Sequence, residues 1–172
     1  MLEALGNIGD FIGGIAVVAT LLYLAVQIRQ NSQSVKSASA QAMLDSLSRT
    51  LNSIGASPEA SRVFTKGQLR PDDLTEDEAS QFAHLILGWF RVVEQAFYQN
   101  RTGGLDAKLW NGYVAQLSSL MQSPGVQRWW SVRRPLFHPE FQSFIENLSV
   151  DGTVPSATIV LRTLLGKNPP AV

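Results

Sequence analysis

Glu94 is the residue of this sequence whose setting most invites chemistry. It stands in "FRVVEQAFYQN", and on a helical wheel of about 100° per residue it falls between Phe90 and Leu87, inside an apolar arc. A carboxylate in such a place must be paired, hydrogen-bonded or protonated. Arg91, three residues earlier, is the local candidate partner. Arg133 or Arg134 would reach Glu94 only through the fold. Tyr98 lies one turn later on the same side, and Trp89 and Phe90 offer aromatic walls. In a cleft, Glu94 would serve as a general acid or base, or as the floor of an aromatic ligand pocket. As an ion pair with Arg91 it would fix helix packing instead. No second catalytic group stands beside it, so the packing reading is preferred.

The other candidates are thinner. The chain has no cysteine, which removes disulfides, thiolate metal sites and thiol nucleophiles. Its two histidines, His84 and His138, are far apart, and His138 precedes Pro139, so a zinc site is not expected and His138 reads as a turn residue. The acidic stretch "PDDLTEDEAS" lacks the alternating ligands and glycine of a calcium loop. It reads as a helix start, with Thr75 and Glu78 forming a capping box and Glu76, Asp77 and Glu78 in the first turn. Trp129 and Trp130 beside Arg128, Arg133 and Arg134 would suit base stacking or a membrane interface. Core aromatics with flanking cations are the commoner case. Side chains of adjacent residues diverge by about 100°, so at most one of the two indoles is expected to point fully inward. Fourteen basic and fourteen acidic residues cancel, which argues against nucleic acid as a partner. There is no P-loop, G-x-G-x-x-G, G-x-S-x-G or H-E-x-x-H. Accordingly no catalytic residue, metal or cofactor is assigned, and the chain is not read as an enzyme.

What must position these residues is a set of helices behind a long apolar run. From Phe11 to Ile28, within "FIGGIAVVATLLYLAVQIRQN", there is no charge. At ~1.5 Å per residue the run reaches roughly 27 Å, close to the hydrocarbon thickness of a bilayer. Glu3 and Asp10 precede it in place of a basic leader, and Arg29 and Lys36 separate it from "SASAQA", so an uncleaved single-pass anchor is expected rather than a signal peptide. Arg29, Lys36 and Arg49 all follow the span, which by the positive-inside rule leaves residues 1–10 outside and the rest cytoplasmic. Gly6, Gly9, Gly13, Ala16 and Thr20 recur every three or four residues, and Gln27 continues the seam. Small residues let spans approach closely, so this face is expected to associate with another helix.

Beyond the span the helical period continues through Leu44, Leu47, Leu51 and Ile54 with no proline or glycine before Gly55, predicting one long helix that a serine-rich stretch at 31–40 could kink. Ser57-Pro58 starts a second helix, which Gly67 is expected to close. A central helix over 76–101 carries apolar residues on more than half its circumference. Further helices are expected from Asp106, from Ser123-Pro124 and from His138-Pro139. The tail, 149–172, contains a short apolar segment, Ala157 to Leu165, able to dock but not to span. The expected fold is therefore all-α: a transmembrane helix (11–28) running on into a long helix, then a cytoplasmic bundle of about four to six helices (29–148) and the tail.

The block "IGGIAVVATLLYLAVQIRQNS", followed by "FRVVEQAFYQN", "SPGVQRWW" and "FHPEF", resembles an uncharacterised bacterial family of single-pass membrane proteins with a cytoplasmic helical domain. The resemblance covers roughly residues 8–148. It implies a bacterial inner-membrane setting and supplies no catalytic residues. The combined expectation is a membrane-anchored interaction protein, either a homo-oligomer or an accessory subunit of another membrane protein's complex. The alternatives are a ligand-binding or sensory module around Glu94, and a small channel lined by Thr20 and Gln27.

Overall fold

The computed structural model describes residues 2–148 and 154–166, and side-chain surroundings from residue 11 onward. It is all-α. Among the described residues there are seven α-helices, two short 3-10 turns and no strand. The chain falls into two compact units, Met1–Ser39 and Ala40–Val172.

The described residues of the first unit, 2–39, are all helical and belong to α1 (Leu2–Gly55). The serine-rich stretch at 31–40 stays α-helical, because no proline occurs before Pro58 to interrupt the backbone ladder. Residues 11–38 are all exposed.

In the second unit, residues 40–55 of α1 contribute Met43 and Ile54 to the core, with Leu47 half-buried between them. Leu44 and Leu51, expected to face inward, are 39% and 44% exposed. The buried seam keeps the expected Leu47 and Ile54 but takes Met43 in place of Leu44, and the Met43 carbonyl accepts a bond from the Tyr113 hydroxyl at 3.5 Å. Helix α2 (Pro58–Leu69) starts as expected, with Ser57 Oγ accepting the Ala60 N–H. Gly67 does not end it. The helix continues to Leu69, and Gly67 is a crossing point: a Cβ there would overlap the Phe82 ring, and one on Gly125 would overlap the Gly67 carbonyl. Helix α5 (Pro124–Arg133) can cross α2 this closely because Gly125 lacks a side chain, while the bare Gly67 makes room for the Phe82 ring.

Helix α3 (Glu76–Arg101) is the centre of the unit, opened by the full Thr75/Glu78 capping box. Phe82, Ile86, Trp89, Phe90, Val92, Val93, Ala96 and Phe97 are buried along it. Phe90 packs at 5.0 Å from Trp129, 5.2 Å from Trp130 and 6.0 Å from Phe137. Both tryptophans are therefore inward, 7% and 6% exposed, against the expectation of one at most. Phe90 contacts the two divergent indoles at once, so the 100° between them is filled by one ring and no solvent. Helix α4 (Ala107–Met121) follows a turn at Gly103, whose φ of 70° suits glycine, and is capped by Asp106. Phe97 then packs on Phe141 and Phe144, at 5.6 and 5.1 Å, which ties in α6 (Pro139–Glu146). Finally α7 (Ala157–Leu164) is held at its entry by Ser119 and Gln122, which donate to the Pro155 and Val154 carbonyls at 2.7 and 2.9 Å.

Candidate functional site

The Arg91–Glu94 pair exists, and its job is legible from its partners. Glu94 sits three residues after Arg91 on α3, a spacing at which helix neighbours meet. Arg91 Nη1 donates to Glu94 Oε2 at 2.6 Å. Arg91 Nη2 donates to the Leu136 carbonyl at 3.1 Å, and the guanidinium lies 4.5 Å from the Phe137 ring centroid, a cation–π distance. Glu94 Oε1 accepts the backbone N–H of His138 at 3.2 Å. Both carboxylate oxygens are thus taken, and the side chain is only 14% exposed. Together the pair fastens the segment 136–138, between α5 and α6, onto α3. That fixes Phe137, which is buried against Phe90, Trp129 and Trp130.

His138 completes the joint. Its Nδ1 accepts the Glu140 N–H at 3.3 Å and so caps α6. Tyr98 meets the imidazole edge-on, with centroids 5.9 Å apart. The Tyr98 hydroxyl is buried and has no hydrogen-bond partner among the described residues. Burial, and then the carboxylates of Glu94 and Glu140, push its ionisation above the ordinary tyrosine value. Arg133 and Arg134 do not join: Arg134 pairs with Glu146 at 2.8 Å and Arg133 is exposed. Trp89 does not join either. It lies five residues from Glu94, about 140° away around the helix, where it lines a hollow of about 280 Å³ with Leu51, Ile54, Phe64 and Leu120.

A second charged cluster went unread in the sequence. Glu78, already the capping residue, also receives Arg62 and Lys66 of α2, each at 2.6 Å. The Lys66 ammonium, the Thr75 N–H and the Arg62 guanidinium lower its carboxyl from the usual 4.5 to about 2. The i,i+4 spacing of Arg62 and Lys66 was the available signal, since it places two cations on one face. Their partner, however, lies on another helix. Among the described residues no set of three or more His, Asp and Glu side chains converges as metal ligands.

In the apolar helix the polar side chains are satisfied locally. Thr20 Oγ1 donates to the Ala16 carbonyl at 2.8 Å, and Gln27 Nε2 donates to the Tyr23 hydroxyl at 2.7 Å. A Cβ added to Gly13 would meet nothing within 4 Å. The surroundings of Gly6 and Gly9 lie outside the described residues. This is the one helix, among those described, long and apolar enough to cross a membrane, with a mean hydropathy of 2.2 over its best window.

Comparison of the chain with protein-family models, with curated proteins and with solved structures finds no match.

Proposed function

We propose that the chain is a membrane-anchored helical assembly protein, with residues 11–28 crossing a bacterial inner membrane and the second unit on the cytoplasmic side. One observation carries this reading: the longest apolar stretch among the described residues is exposed along its whole length. Phe11, Leu21 and Leu22 are 70%, 60% and 64% exposed, and no part of that window is buried within the chain. Leaving such a surface in water forfeits about 25 cal/mol per Å², so a bilayer or other helices must cover it. Glycine and alanine on the Gly6, Gly9, Gly13, Ala16 face favour a neighbouring span. The Arg29, Lys36 and Arg49 flank supports a cytoplasmic second unit. Glu94, engaged through both oxygens in fastening 136–138, supports a structural role for that cluster and gives no ground for an enzyme.

The experiment is native mass spectrometry of the chain extracted in detergent, wild type beside Gly9→Leu/Gly13→Leu. A defined oligomer that dissociates in the variant, or another membrane protein that co-purifies and is lost, supports the proposal. A monomer in both forms removes the assembly part. Orientation is tested separately. Since the chain contains no cysteine, Asn7→Cys and Ser37→Cys provide background-free labels. An impermeant thiol reagent should reach the first, and not the second, in intact cells.

A further inference from the structure

The overall charge of the chain is zero, yet four of its fourteen basic residues line one cleft. Arg62 and Lys66 follow one another along a face of α2, Arg70 stands just past its end, and Arg162 faces them from α7 across a space of about 930 Å³. Thr65 and Thr158 add hydroxyls, and among the described residues no carboxylate lines the wall. Glu78 is shared between Arg62 and Lys66, and Asp73 approaches Arg70 only at 3.6 Å. Among the described residues, two carboxylates therefore stand against four cations. The surplus matches a doubly charged anion, and the shared Glu78 orients two of the cations without neutralising both.

The cleft does not end there. Its apolar wall, Leu69 and Leu161, also belongs to an adjoining hollow of about 330 Å³ between α7, α2 and α4. That hollow shares Phe64, Gln68 and Ser119 with the 280 Å³ hollow beneath Trp89. Helix α7 buries none of its residues, and Val160 and Leu161 remain 42% and 37% exposed above the trough. Partway along it, the Gln68 side chain belongs to a residue only 5% exposed. Its Oε1 accepts from Ser123 at 3.4 Å, and the same side chain, whose amide nitrogen carries two N–H donors, lines both hollows. Such a donor in an apolar channel suits a carbonyl oxygen.

From this sequence of walls we infer that the trough binds a single-tailed, phosphate-headed lipid. The phosphate sits among Arg62, Lys66, Arg70 and Arg162, the tail lies under α7 toward Trp89, and Gln68 donates to an ester carbonyl. Every residue named in the trough belongs to the second unit, and the assignment does not depend on how residues 11–28 associate.

The test uses the full chain in phosphatidylcholine nanodiscs, with native mass spectrometry and melting temperature as readouts. Lysophosphatidic acid is titrated in, beside lysophosphatidylcholine of the same tail and inorganic phosphate. Retention of one lysophosphatidic acid per chain with a raised melting temperature, and no such effect of the other two, is the expected result. Arg70→Gln/Arg162→Gln alters only exposed side chains and should leave helicity unchanged. It should move half-saturation to roughly ten-fold more lysophosphatidic acid, the effect of losing charge-assisted bonds. Inorganic phosphate acting as strongly as the lipid would overturn the tail site in favour of a soluble phosphate compound. Equal action of the two lysolipids would overturn headgroup recognition. An unshifted double variant, or no retention at all, would overturn the assignment altogether.

Discussion

Glu94 is a carboxylate whose two oxygens face two different parts of the chain, one the guanidinium of Arg91 and the other the N–H of His138. Hydrogen bonds to charged groups contribute about 1.5–3 kcal/mol each, and stranding a half-buried partner costs more than removing both. Glu94→Ala is therefore expected to destabilise the second unit by roughly 2 kcal/mol, measured as thermal unfolding of the full chain. Glu94→Gln, which can still accept from the His138 N–H, should lose less. Equal stability of Glu94→Ala and wild type would show that the pair does not hold the 136–138 segment. The Arg91 half of this joint was readable from three-residue spacing. The His138 half was not, because 44 residues separate donor and acceptor and only the fold brings them together. Trp89 shows the converse error: nearness in sequence suggested a shared pocket, but helical rotation sends it to the far side.

At the scale of elements, the starts of helices were the most legible features. Ser57, Thr75, Asp106 and His138 stand at the expected N-terminal positions because capping chemistry is local, and Ser123 does so because Pro124 opens the helix after it. What one helix does to another was hidden. Gly67 reads as a helix stop because glycine commonly is one, whereas its real constraint is the Phe82 ring and the approach of Gly125. Gly125→Ala should accordingly cost about 1–3 kcal/mol by overpacking, despite alanine's better helix propensity, and a rise in melting temperature would refute the close crossing. The seam through Met43 and the two inward tryptophans were likewise set by neighbours that no period reveals. Glu78 links α2 to the start of α3, and its lowered ionisation makes that link acid-sensitive. A carboxyl depressed in the folded state stabilises fully above its unfolded value, near 4.5, and the contribution disappears as the pH falls toward about 2. Unfolding followed between those values should show an acid limb that Glu78→Gln flattens.

For the whole molecule, residues 11–28 are an exposed apolar run among the described residues, and membrane retention is expected to depend on it. Leu21→Arg places a charge near the middle of the run, where insertion costs about 2.5–3.5 kcal/mol. The variant is expected to shift from the membrane pellet toward the soluble or aggregated fraction after carbonate washing. Unchanged sedimentation with the membrane would assign retention to the second unit. All-helical character and the apolar run were evident from composition and period alone, whereas the hollows around α2 depend on how α7 is seated and could not be foreseen. The burial of Trp89, Trp129 and Trp130 has an optical consequence. Most of the chain's four indoles emit from an apolar setting, so native fluorescence should be blue-shifted and should move to the red when the aromatic layer opens. Trp89 alone among them borders the hollow beneath α2. The molecule thus carries its own light source at the deep end of its trough, where a brominated chain arriving from the cationic side would dim it without any label attached to the protein.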